Sequence, residues 1–129
     1  MTTFVDTSAL LAFIDAADAH HSAVVAEWQA IDEPLVTHAY VVVELLALVR
    51  RRLGAEAAMR VIDDLLPAID VIAVDRDLHD AALREYRTAL PSNVSLVDRT
   101  SFAFMRREAI TTSLAVDADF ATAGFVVRP

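Results

Sequence analysis

Apolar residues along this chain alternate between short β-branched or aromatic runs and longer stretches at three- and four-residue spacing. Thr3–Val5 reads as a strand that runs through Asp6-Thr7-Ser8 into a helix from Ala9 to Ile14. A second helix is predicted over His20–Ile31, where Val24, Val25, Trp28 and Ile31 share a face. Pro34 precedes a brief strand, Leu35–Thr37, and a strongly apolar helix covers Ala39–Leu53. Gly54 ends that helix after Arg50, Arg51 and Arg52, which complement its C-terminal dipole. Further helices are predicted over Glu56–Leu66 (closed by Pro67), Asp75–Leu90 and Asn93–Glu108. Strands fall at Ile69–Val74, Ile110–Thr112 and Phe125–Val127, with a turn or short helix at Asp117–Ala123. Short apolar strands alternating with helices predict an α/β domain with a mainly parallel central sheet. Ligand sites of such sheets lie beyond the carboxyl ends of the strands. Asp6 falls there on the first strand.

Against this pattern, several carboxylates sit where solvated charge does not belong. Glu44 lies mid-helix in AYVVVELLALV, and a helix apolar all round is a buried one. A buried carboxylate needs a metal, a base or a proton, so Glu44 reads as a ligand or as a core partner of an arginine. Asp6 is either a site acid or the N-cap of the helix behind it. Asp98 shares a helical face with Phe102 and Met105, and Ser95-x-x-Asp98 also fits a capping box. Asp117 and Asp119 could simply open a turn. Taken together, these acids occupy strand ends and apolar helix faces, whereas Asp63, Asp64, Asp77 and Asp80 read as plain surface charge. Like charges brought together repel, so such a set persists around cations. Oxygen-only ligands suit a hard ion, Mg²⁺ or Mn²⁺. His20, His21, His38 and His79 have no zinc-type spacing.

Composition narrows the chemistry further. At 129 residues the chain is one domain's length, residues 1–129. All eleven basic residues are arginine, and there is no lysine or cysteine. This excludes a Walker A loop, Schiff-base catalysis, kinase-type and class A β-lactamase-type sites, thiol nucleophiles and zinc ribbons. A phospho-aspartate receiver or phosphatase fails as well, since its pocket depends on a lysine. Hydrophobic residues make up 56%, against roughly 45–50% in an average domain. The surplus points to apolar surface covered by another chain. Phe13, Ile14, Trp28, Leu46 and Val49 in the N-terminal half are its first candidates. No apolar run reaches the ~18 residues of a membrane span, and the start lacks a basic n-region. A cytoplasmic protein is expected.

Four segments, FVDTSAL, VVVELLAL, SLVDRTSFAFMR and AVDADFATAGF, resemble in order the signature blocks of the PIN domain. Their spacing resembles the VapC-type toxin ribonucleases in particular. The resemblance spans Thr3–Val127 and implies a three-layer α/β/α fold. It makes Asp6, Glu44, Asp98 and Asp117 the metal-binding, catalytic acids, with Asp119 a further acid and Thr7 or Ser8 a supporting hydroxyl. Ala115 stands where many relatives carry a threonine, and Asp119 where many carry a histidine.

The implied reaction is metal-dependent hydrolysis of RNA, with the metal activating water and leaving 5′-phosphate and 3′-hydroxyl ends. A net charge of −8 suits structured RNA read by shape better than tight nonspecific binding. Arg99 and Arg106, on the Asp98 helix, are candidate RNA contacts; Arg50–Arg52 read as a solvated helix end. A small cognate antitoxin and a homodimer are the implied partners. A PIN-fold RNA-processing nuclease without an antitoxin, a DNA nuclease and a non-catalytic interaction module are the other readings.

Overall fold

The computed structural model describes residues 1–129. Five strands, β1 (Thr3–Val5), β2 (Leu35–His38), β3 (Asp70–Ile72), β4 (Thr112–Leu114) and β5 (Val126–Arg128), form one sheet in the order β3-β2-β1-β4-β5. Every pairing is parallel, with Val5 opposite Leu114 at the centre. Seven helices connect the strands: α1 (Thr7–Ile14), α2 (His21–Ala30), α3 (Ala39–Leu53), α4 (Ala55–Arg60), α5 (Arg76–Thr88), α6 (Leu96–Arg107) and α7 (Asp119–Thr122). The chain steps outward from β1 to β3 and then crosses back to β4 on the other side of β1. Because such crossovers are right-handed, this reversal puts α1–α4 and α5–α6 on opposite faces. It also opens a crevice between β1 and β4 at their carboxyl ends, the place where parallel sheets bind ligands.

The core is built on the central strands. Phe4 is fully buried, with its ring centroid 6.0 Å from Phe120, 6.1 Å from Phe104 and 5.7 Å from His38. Leu10, Leu45, Met105 and Leu114 close around it; burial of each such side chain stabilises the fold by roughly 1.5–3 kcal/mol. His38 ends β2 and caps α3: its Nδ1 accepts the Val41 N–H at 3.4 Å. That acceptor role leaves the proton on Nε2, which meets the Ser101 hydroxyl at 2.8 Å; Ser101 in turn donates to the Val97 carbonyl.

Several elements depart from the sequence pattern for identifiable reasons. The helix expected over Glu56–Leu66 is α4 followed by a π-turn at Val61–Leu65 and a 3₁₀ turn at Leu66–Ala68. Pro67 has no N–H, and its ring crowds the carbonyl four residues back, so the ladder widens before it. Strand β4 begins two residues later than expected, because Ile110 still belongs to the end of α6. Its N–H donates to the Met105 carbonyl at 2.8 Å, that of Ala109 (φ 56°) to Arg106 at 3.3 Å, a Schellman closure. Helix α3 is not buried all round: Val41, Leu45 and Val49 face the core, but Val43 is 67% exposed. No helix is long and apolar enough to cross a membrane.

Candidate active site

Asp6 leaves the end of β1 and is the N-cap of α1. Its own N–H donates to the Leu114 carbonyl at 3.0 Å, which locks the two strand ends together. Ser8 completes the lock: its hydroxyl donates to Asp6 Oδ2 at 2.6 Å and accepts the Val116 N–H at 3.0 Å. The Ser8 N–H adds a third bond, 3.1 Å to the same oxygen. The other carboxylate oxygen, Oδ1, is buried without a partner, as is the Thr7 hydroxyl. Of the two hydroxyls expected beside Asp6, Ser8 is the one that holds it.

Asp98 lies in the first turn of α6, where its N–H donates to the capping Ser95 hydroxyl at 3.1 Å. Its carboxylate does not return the bond, so half of the capping box is open and the side chain faces the crevice. Asp117 follows β4 and accepts the Asp119 N–H at 2.9 Å, a turn that points both carboxylates the same way. Each residue therefore keeps the local role read for it, cap or turn, and still aims an oxygen into a common space. Glu44 is half-buried on α3 and pairs with no arginine. Contact between α3 and α6 brings it to the same cleft as Asp98.

That cleft, about 350 Å³, is lined by Asp6, Glu44, Asp98, Asp117 and Asp119, with Asn93 and Ser95 at its edge. No basic side chain lines it. Single carboxylate oxygens of Asp98, Asp117 and Asp119 lie within 4.8 Å of one another. Asp119, the least central acid in the sequence reading, thus belongs to the tightest group. Burial pushes the Asp98 carboxyl up to about 8, with the charges of Asp6, Asp117, Glu44 and Asp119 adding to it. Burial likewise raises Asp6 to about 6, against the opposing hydrogen bonds from Ser8 and Thr7. Desolvation, the Asp117 charge and a hydrogen bond to Asp117 raise Asp119, which Arg99 partly offsets from outside. Five oxygen donors in one cleft, with the ionisation of Asp6, Asp98 and Asp119 opposed and an orphaned oxygen on Asp6, match a hard divalent cation.

Asn93 is expected to open a helix, but α6 starts at Leu96 behind the Ser95 cap, which leaves Asn93 in the loop that lines the cleft. The arginines divide. Arg50, Arg51 and Arg52 lie exposed in the last turn of α3. Arg107 is engaged by Asp75 at 2.8 Å and Glu108 at 3.3 Å. Arg99 and Arg106 stand over Phe102 and Phe125, each 5.9 Å from the ring centroid.

A parallel sheet with this strand order and this acid cleft at its reversal point defines a class, and the chain belongs to the PIN domain family, which residues 3–126 match. Within it, the chain is similar to the 23S rRNA-specific endonuclease VapC20 of Mycobacterium tuberculosis, 37% identical over 98% of both chains. The crystal structure of VapC20, a sarcin-ricin loop cleaving toxin, superposes with a TM-score of 0.91 at 35% identity over the whole of both chains. FitAcB from Neisseria gonorrhoeae (TM-score 0.75, 19% identity, 100% of this chain and 97% of that one) shares the fold. So does VapBC2 from Rickettsia felis bound to promoter DNA, at a TM-score of 0.74 and 13% identity over 99% and 98%.

Proposed function

We propose that this chain is a divalent-metal-dependent endoribonuclease, the toxin of a toxin–antitoxin pair, and that it hydrolyses a phosphodiester of structured RNA. The observation that carries this reading is the convergence of five carboxylates in a cleft without a single cationic side chain. Asp98, Asp117 and Asp119 would hold the ion from one turn and one helix start, with Asp6 and Glu44 completing the oxygen set. Mg²⁺ or Mn²⁺ held there supplies a lowered pKa for water and stabilisation of charge on the phosphoryl oxygens. Ser8 fixes the Asp6 carboxylate through Oδ2 and leaves Oδ1 buried and unpartnered in a residue that lines the cleft. Leu11 and Leu48 form its apolar wall and limit water at the reacting phosphate. Similarity to VapC20 supports a ribosomal RNA loop as the substrate.

The partner is a small antitoxin in the cytoplasm, and the toxin works as a homodimer. Support comes from the VapC-type similarity and from apolar surface left uncovered. Phe13 and Ile14 line an apolar groove with Leu53, Ala57, Val61 and Leu65. Of the other residues read as surplus, Val49 is core, Leu46 is half-buried against it, and Trp28 packs 4.6 Å from the Phe13 ring.

The test is cleavage of a synthetic stem–loop RNA carrying a ribosomal loop, beside DNA of the same sequence. Cleavage of RNA in Mg²⁺, its loss in EDTA, and products with 5′-phosphate and 3′-hydroxyl ends are expected. Equal cutting of DNA, or cutting in EDTA, would contradict the reading.

A further inference from the structure

A second cavity, about 340 Å³, opens between α5 and α6 and is lined by Arg84, Glu85, Thr88, Arg99 and Arg106. Its chemistry is the reverse of the acid cleft: three guanidinium groups and one carboxylate, in a chain of net charge −8. Glu85 neutralises Arg106 through Oε1 at 2.7 Å and Arg99 is partly balanced by the Asp119 charge, so Arg84 carries the one uncompensated charge. Arg84 has no ion-pair partner, and its only bond to this group comes from its carbonyl, which accepts the Thr88 hydroxyl at 2.9 Å. The Arg99 Nε is buried with no acceptor, and Glu85 Oε2 in the same cavity is buried with no donor, so the desolvation of the Arg99 donor is uncompensated. The rings of Phe102 and Phe125 lie under Arg99 and Arg106; stacking of this kind holds guanidinium planes in place. Asp98 and Arg99 are consecutive residues in the first turn of α6 and Arg106 lies in its last turn, so the cavity runs along α6 and its Arg99 end adjoins the acid cleft at the helix start.

We infer that this cavity is a subsite for an RNA backbone phosphate, lying across the start of α6 from the acid cleft. A strand whose scissile phosphate sits at the acids would continue over that turn and place a neighbouring phosphate among Arg84, Arg99 and Arg106. The arginines then fix the register of the strand while the acids act on it, since planar, fork-shaped guanidinium donors suit phosphate oxygens. The inference rests on reading the acid cleft as a nuclease centre. It answers how so acidic a chain holds RNA: the positive charge it needs is local.

Anisotropy of a fluorescent stem–loop RNA, measured in EDTA across a salt series, tests this apart from cleavage. The double variant Arg84→Gln/Arg99→Gln is expected to bind about tenfold or more weakly, as for loss of charge-assisted hydrogen bonds. Its salt slope should shrink by about 1, one phosphate contact fewer. Arg51→Gln, at the far end of α3, should match the wild type. Glu85→Gln, which frees Arg106, should tighten binding and steepen the slope, a gain that misfolding cannot imitate. Unchanged slopes in both the double variant and Glu85→Gln overturn the subsite, as does loss of affinity for an antitoxin peptide with RNA binding intact. Parallel cleavage by the wild type in Mg²⁺ separates the two claims. Slope changes without any cleavage keep the phosphate subsite and refute the nuclease reading; cleavage with unchanged slopes does the opposite.

Discussion

Two buried polar groups stand at the carboxyl ends of neighbouring strands and have opposite characters. At the end of β2, His38 is fully buried, and both of its ring nitrogens have partners. Burial lowers its pKa to about 4, so it remains a neutral, structural group. Just past β1, Asp6 is almost as buried, yet one oxygen lacks a partner and its nearest ionisable neighbours are other acids. Buried polarity alone therefore does not mark a functional site. What separates the two is satisfaction: the histidine network closes on itself, whereas the acid cluster leaves a buried Asp6 oxygen unpaired among like charges.

The largest expected effect is on chemistry. Asp98→Asn or Asp117→Ala should abolish RNA cleavage, while the metal-free melting temperature of Asp98→Asn stays level near pH 7 and rises above pH 8, where the wild type must ionise a buried carboxyl that the amide replaces. Breaking the other group should do the converse. His38→Ala is expected to cost about 1–3 kcal/mol of stability through the lost hydrogen bonds and to leave Mn²⁺ affinity unchanged, as urea unfolding and metal titration would check. A fall in melting temperature for Asp98→Asn would erase the contrast.

A smaller effect separates support from ligation. Ser8→Ala should reduce metal affinity about 10–100-fold, the usual consequence of losing an outer hydrogen-bond partner. Asp119→Ala should exceed that and approach Asp117→Ala, because its carboxylate is within 4.8 Å of both Asp98 and Asp117. Titration of the three variants with Mn²⁺ ranks them directly.

The two groups also titrate in opposite senses. Asp6 and Asp98 hold protons in the folded chain, to about 6 and about 8, that the unfolded chain loses near 4. Metal-free stability contributed by these acids is present below pH 4 and is lost as the pH rises toward 8. His38 acts the other way, since the unfolded chain takes up a proton near 6.5 that the folded chain refuses until about 4; it destabilises the fold as the pH falls through that window. Between pH 6.5 and 8 only the acids contribute. Melting temperatures in EDTA should fall across that range for the wild type and much less for Asp98→Asn.

Much of this was legible in the residues. The strand–helix alternation, the α3 boundaries with Gly54 at its end, and the placement of Asp6 at a strand end all follow from local pattern. Asp6, Glu44, Asp98, Asp117 and Asp119 stood out because their surroundings were apolar or strand-like, and they share one cleft. Other features depended on tertiary context. Glu44 seemed buried by its neighbours on both sides in sequence, but α3 covers only one face. The register of β4 was hidden by the helix closure at Ile110, which uses an apolar residue that imitates a strand start. Arg84 gave no signal, because its meaning comes from a helix twelve residues further along the chain. Asn93 and the Ser8 bond to Val116 were hidden for the same reason.

Calorimetric titration of the metal-free protein with Mn²⁺ at pH 7, repeated in buffers of different ionisation enthalpy, tests the central claim most directly. If the acid cluster is a metal site, Mn²⁺ binds and releases about one proton, because Asp98, with a pKa of about 8, is still largely protonated at that pH. Asp98→Asn should bind far more weakly and release almost none. Saturable binding without proton release, or no binding at millimolar Mn²⁺, would contradict the account.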